Sequence, residues 1–220
     1  MQSDYRHPPV SEGASNSGAA RNRLPGLWAK RVRLRNLEVG DEAFLAVLDS
    51  DPMVMKFIHQ GPQSYESALK WARFQIKQAL APSDWPRLWG KWVVQLRGTA
   101  LALGWVEAFH FSTRNGDFPC VGYEFAPAYW GHGYATEAVA TVVDYLFRQR
   151  KEKIVLAFAR PGNLPSTRLL ERVGFTKTAK RVLDGGRNWC ALYRIRRGEW
   201  LRLERLGHRR SLGRILDSKQ

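Results

Sequence analysis

Two glycines bracket a histidine in Trp130-Gly131-His132-Gly133-Tyr134-Ala135-Thr136, and the chain beyond them turns at once into small and helix-forming residues. Glycine lets a backbone come close to a ligand. The free N–H groups of a first helical turn, with the helix dipole behind them, attract negative charge. The chemistry on offer is anion binding by main chain, although many strand-to-helix turns hold glycine for steric reasons alone. Two common phosphate-binding designs do not fit. A nucleotide P-loop needs Gly-Lys-Ser/Thr at the helix start, where this chain has Gly133-Tyr134-Ala135-Thr136. A dinucleotide fold wants a third glycine where Thr136 stands, and an acid at the end of the next strand, which here ends in Arg160. Two cysteines, Cys120 and Cys190, without CxxC spacing support neither a disulfide framework nor a four-ligand zinc site.

The surrounding periodicities predict what positions these residues. Val121–Pro127 reads as a strand closed by its proline. After the glycines, Ala135, Ala138, Val139, Val142, Val143, Leu146 and Phe147 form an unbroken helical stripe. Lys153–Ala159 reads as a buried strand. A second helix then starts at Asn163, carries Pro165 in its first turn and stops at Gly174. Upstream, Arg31–Leu37 alternates as a strand, a short helix runs to about Pro52, and a helix spans Ser64–Leu80 from a Ser64 cap. Two apolar runs flank Arg97-Gly98-Thr99 in Lys91–Phe111, which predicts a hairpin, and Asn115-Gly116-Asp117 marks another turn. Two more strands are expected near Phe175–Val182 and Trp189–Arg196. The fold class is therefore α+β: a twisted, mostly antiparallel mixed sheet of about six to seven strands flanked by about four helices, with one strand–helix–strand crossover.

The chain has 220 residues, 35 Lys and Arg, and 20 Asp and Glu, for a net charge of +15. Residues 1–35 carry +5 of it and residues 201–220 carry +4. Such ends should be drawn to polyanions, including RNA, a ribosome or an anionic cofactor. Residues 1–29 read as a disordered basic arm, rich in Ser, Gly, Asn and Pro up to residue 26. Residues 30–197 read as the folded domain, and 198–220 as a basic tail with a short amphipathic helix among Trp200, Leu203, Leu206, Leu212 and Ile215. With no run of about 18 apolar residues and no secretory leader, a membrane span is not expected and the cytoplasm is the expected setting. Trp71, Trp85, Trp89 and Trp92 suit core packing better than a stacking platform.

Gly122–Phe147 followed by Asn163–Phe175 resembles the GNAT N-acetyltransferases, most nearly the branch of ribosomal-protein acetylating enzymes RimJ and RimL, over Arg31–Arg197. The family pattern reads here Trp130-Gly131-His132-Gly133-Tyr134-Ala135, with Trp130 where Gln or Arg is usual. The resemblance implies acetyl-CoA as cosubstrate and no metal. Amides from Gly131 to Thr136 would hold its diphosphate, and the strand edge at Phe125 and Ala126 would pair with the pantetheine arm. Asn163 would bond that arm and Arg168 would meet a phosphate at the nucleotide end. A backbone amide near Phe125 or Ala126 is the expected oxyanion donor. Many relatives use a tyrosine acid in the slot of Leu170, and the Rim-like branch has a serine where Ser166 stands, so the resemblance implies Ser166 as the proton donor, unless it only completes its helix turn. For the base, Glu124 comes first, on the strand face opposite Tyr123 and Phe125, with Glu107 second and His110 third. His132 lies on the loop, and Trp130 and Tyr134 suit packing better than catalysis.

The expected function is acetyl transfer to a primary amine, a protein N-terminus first, by direct attack in a ternary complex. Aminoacyl-tRNA and a small amine or antibiotic remain alternatives, as does a non-catalytic module that binds RNA or ribosomes through the basic ends. The sequence leaves the oligomeric state open, a homodimer included.

Overall fold

A computed structural model describes residues 24–58, 60–80, 88–113, 116–183 and 188–206. Its frame is one eight-stranded sheet: β1 (Leu27–Trp28), β2 (Val32–Asn36), β3 (Leu88–Leu96), β4 (Ala102–Thr113), β5 (Gly116–Phe125), β6 (Ile154–Ala159), β7 (Thr176–Leu183) and β8 (Asn188–Arg196). The spatial order is β1-β2-β3-β4-β5-β6-β8-β7, and every pairing is antiparallel except β5 with β6. Six helices are described: α1 (Glu42–Ser50), α2 (Pro52–Met55), α3 (Tyr65–Leu80), α4 (Tyr134–Arg148), α5 (Leu164–Val173) and α6 (Arg197–Arg205). α4 makes the β5–β6 crossover.

The α4 stripe is the centre of the larger core. Ala138, Val139, Val142, Val143, Leu146 and Phe147 are all sealed from solvent, against one sheet face and α5. Each of the valine, leucine and phenylalanine side chains contributes ~1.5–3 kcal/mol by burial, so the helix start is anchored firmly. α1 and α3 cover the opposite face over β3 and β4, around Leu45, Leu48, Ile76, Val93 and Trp105.

The architecture agrees with the α+β expectation, with more elements than foreseen. α2 begins at Pro52, where the sequence reads a stop: Asp51 accepts hydrogen bonds from the Met53 and Val54 amides and reopens a helix with proline in its first turn. Described secondary structure also reaches back before residue 30. Leu27 and Ala29 are core residues, and the Pro25 carbonyl accepts from the Trp92 indole at 3.0 Å. The composition of the preceding residues hides this short edge. At the other end α6 docks through Trp200, whose indole donates to Asp144 on α4 at 2.8 Å. Residues 1–23 of the expected arm, Trp85, Asn115, and Leu212 and Ile215 of the tail lie outside the described residues.

Candidate active site

β5 and β6 pair only at Cys120–Leu156 and Val121–Ala157. Beyond that, β5 runs on to Phe125 and β6 to Ala159 without pairing to each other, so the sheet opens into a gap. The Ala126 amide donates to the Leu103 carbonyl of β4 at 3.0 Å. Antiparallel alternation then turns the amides of Tyr123 and Phe125 away from β4, towards the gap. The expectation of Ala126 as oxyanion donor is thereby corrected, and Phe125 is left as the candidate. Its carbonyl is already taken by the Trp130 indole at 2.6 Å, so at this edge residue only the amide is open.

A single 3-10 turn, Pro127–Tyr129, leads from β5 to the glycine loop. Gly131 and Gly133 have φ of 78° and 79°, a region that penalises any side chain, and nothing lies within 4 Å of where a Gly131 Cβ would stand. Gly133 caps α4 with no side-chain hydrogen bond, and the first intrahelical bond is from Glu137. The amides of Tyr134, Ala135 and Thr136 thus have no intrahelical partner. The fold leaves a bare, positively polarised cradle, as a diphosphate requires. His132 stacks on Tyr134 at 5.8 Å and its Nδ1 lies 2.8 Å from the Trp130 carbonyl.

What locks this loop is a pair the sequence reading passed over. Arg31, just before β2, donates from Nε to Glu137 at 2.8 Å and from Nη1 to the His132 carbonyl at 2.9 Å. Its guanidinium lies 4.8 Å from the Tyr134 ring centre. Glu137 is 2% exposed and Arg31 is 42% exposed, so the acid is buried and the positive charge faces the loop. The two are 106 residues apart, and no local spacing signals the contact.

Asn163 caps α5: its Oδ1 accepts from the Ser166 amide at 3.2 Å, which leaves its Nδ2 available. Ser166 Oγ lies 2.9 Å from the Tyr123 hydroxyl, which reaches α5 from β5. Burial raises the Tyr123 phenol well above its ordinary range, so it stays protonated. Tyr123 is a second residue the sequence left without a role; its signal was its placement on the face opposite Glu124. Leu170 is fully buried in the core. Arg168 is exposed on α5.

On the other face of β5, Glu124 is 9% exposed and Asp49, from α1, is 7% exposed. They are in side-chain contact, and Glu124 Oε2 is sealed with no hydrogen-bond donor. Burial first, then the Asp49 charge, pushes the Glu124 carboxyl up to about 8. Burial also raises Asp49. Glu107 stands apart from this contact. It lies across Gly122, where a Cβ would come 3.0 Å from its Oε1, and pairs with Lys91 at 3.2 Å. Lys91 also donates to Gln75 of α3 at 2.6 Å and sits 3.7 Å from the Trp105 ring centre. A carboxylate so engaged is a poorer base than Glu124. His110 is opposite Pro119, five residues back along β5 from Glu124 and ~16 Å away, so it does not join the site. Phe57 comes 3.9 Å from a Gly162 Cβ position, which brings the chain after α2 to the β6–α5 loop.

Among the described residues no group of three or more His, Cys, Asp or Glu is arranged to hold a metal ion, and no helix is long and apolar enough to cross a membrane. The Acetyltransferase (GNAT) domain family matches residues 31–176. The chain is 29% identical over 158 residues to Uncharacterized protein YkkB of Bacillus subtilis, covering 70% of this chain and 88% of that one. It is 28% identical over 199 residues to FsC-acetyl coenzyme A-N(2)-transacetylase of Aspergillus fumigatus, covering 85% and 83%. The fold matches Mycobacterium smegmatis RimJ in complex with CoA-disulfide with a TM-score of 0.60, at 20% identity and over 84% of this chain and 95% of that one. GNAT acetyltransferases use acetyl-CoA, and the gap and bare helix start described above fit that cosubstrate. The chain belongs to the GNAT acetyltransferase family and is an N-acetyltransferase of that type.

Proposed function

We propose that the protein acetylates the α-amine of a protein N-terminus, with donor and acceptor held side by side in the gap between β5 and β6. The observation that carries this reading is a sealed carboxylate, Glu124, on the strand that borders the gap, one residue from the free Phe125 amide. Acetyl-CoA, when bound, supplies the acetyl group as an activated thioester. The amides of Gly131–Thr136 grip its diphosphate, Asn163 Nδ2 donates to the pantetheine arm, and Arg168 meets a phosphate at the nucleotide end. Trp130 fixes the β5 edge by holding the Phe125 carbonyl. The Phe125 amide donates to the acetyl oxygen, where negative charge gathers during transfer. Glu124 takes a proton from the acceptor ammonium, and Ser166 Oγ, backed by the Tyr123 hydroxyl, gives one to the departing sulfur. Glu107 neutralises Lys91 beside Glu124.

The positive chain ends, +5 and +4, support an acceptor presented on a ribosome. Incubation with labelled acetyl-CoA and cell extract tests it. The expected result is label on protein N-termini, lost with Glu124→Gln. Label on tRNA or on small amines would reassign the acceptor. Salt-sensitive ribosome binding without any transfer would make the chain a non-catalytic module.

A further inference from the structure

We propose that Asp49 and Glu124 hold one proton between them, and that this carboxyl pair, rather than Glu124 alone, receives the acceptor's proton. Two observations carry the pair. The side chains touch although α1 and β5 are far apart in sequence, and both are more than nine-tenths buried. Glu124 Oε2 is sealed and has no donor. Two ionised carboxylates in such contact would be two acceptors facing each other. One proton turns the contact into a hydrogen bond and satisfies the orphaned oxygen. The charged groups around the pair favour this state. Lys91 of β3 is the one cation facing it among the described residues, and it is shared with Glu107 of β4 and with the neutral Gln75 of α3. Its charge is therefore partly spent, and three carboxylates with one ammonium retain at least one proton more easily than none. Asp49 touches no reacting atom in this account. It is a positioning residue that sets the ionisation of Glu124.

The proton balance is simple. An acceptor entering as ammonium faces the pair and displaces its shared proton to solvent. Glu124 then takes one proton from the ammonium nitrogen. This leaves a neutral amine and returns the pair to its single proton. The step of receiving the amine's proton rests on the base role proposed above, whereas the shared proton does not.

Infrared pH-difference spectra of the full chain test the pair without any ligand. The expected result is a protonated-carboxyl stretch that persists at neutral pH, where ordinary carboxyl groups are ionised, and disappears as pH rises through the range to which Glu124 is pushed, about 8. Both Asp49→Asn and Glu124→Gln should lack it at neutral pH. Its absence from the wild-type chain would overturn the pair, and this outcome needs no variant. Its survival in Asp49→Asn would also overturn it, because burial of Glu124 alone would then suffice. Asp49→Ser gives the same reading if the amide variant fails to fold. With any amine that the enzyme acetylates, the acid limb of kcat/KM should move to lower pH in Asp49→Asn; an unmoved limb counts against the pair. Loss of the band in both variants with full turnover of Glu124→Gln would keep the pair and refute the base.

Discussion

The two sides of the gap are built on opposite terms. At the start of α4, the ligand groups are main-chain amides, and the one buried acid nearby, Glu137, has a guanidinium partner. On the far face of β5, the functional groups are side chains, and the buried Glu124 has an oxygen with no donor. The first side is finished before any ligand arrives. The second holds a proton whose location changes with pH and with the acceptor. A polyphosphate is bound by geometry fixed in advance, whereas an ammonium needs a site able to take up charge.

Glu124→Gln should separate the two sides most sharply. A fall in kcat/KM of ~10²–10⁴ is expected from loss of the base, with acetyl-CoA affinity by calorimetry unchanged. A matching loss of acetyl-CoA binding would mean that the two sides are not independent. The same variant should alter the pH dependence of stability. In the folded chain Glu124 keeps its proton up to about 8, against 4.5 as its ordinary value. The folded state therefore binds more protons across that window, and stability falls as pH rises through it, by up to about 1.4 kcal/mol per pH unit. Urea unfolding at three pH values should show this slope in the wild type and a flatter one in Glu124→Gln.

Arg31→Gln comes next, and it strikes the cradle side. Removing one partner of a fully buried ion pair costs ~3–5 kcal/mol. Arg31 is 42% exposed, so about 2–3 kcal/mol is expected in urea unfolding. Acetyl-CoA should bind about tenfold more weakly, because the charge and the hold on the His132 carbonyl are both gone. Arg31→Gln with Glu137→Gln should recover much of the stability but not the affinity. Recovery of both would make the pair a packing feature without influence on the cradle.

This contrast also explains what the sequence could reveal. The cradle depends on local order: two glycines, then a helix with an unbroken stripe from Ala135 to Phe147. The glycine turn before α4 and the helix start at Asn163 were legible for the same reason, since caps and turns are written in neighbouring positions. The strand pairing of β4 with β5 followed from alternation and turn residues. Asp49, Lys91 and Arg31 were not legible. Each meets its partner through tertiary folding alone, Asp49 from an α1 whose other inward positions read simply as core. Glu124 could be placed on the correct face of its strand, but burial and the missing donor that distinguish it from Glu107 exist only once α1 is packed down.

Gly133→Ala is a smaller test of the finished side. At φ 79° an alanine costs ~1–2 kcal/mol, and its Cβ would come 3.3 Å from Arg31 Nη2. The expected outcome is a raised KM for acetyl-CoA with kcat nearly unchanged. Gly131→Ala should show the φ penalty alone, because nothing stands near its Cβ position. An equal KM effect from both would mean that the Arg31 contact contributes nothing to the loop.

The smallest effect belongs to the proton donor. Ser166 Oγ and the Tyr123 hydroxyl are 2.9 Å apart, and the phenol is kept neutral by burial. Either hydroxyl can reprotonate the other, and water can enter when one is removed. Ser166→Ala should therefore lower kcat by only ~10-fold, less than the full worth of an acid. Tyr123→Phe should do the same through Ser166. Groups that pass one proton act as a unit, so the double variant should fall no further than the worse single one. Multiplicative losses in the double variant would show two independent roles, with Tyr123 acting elsewhere than on the sulfur's proton. Rates measured with the acceptor saturating keep this comparison free of binding effects.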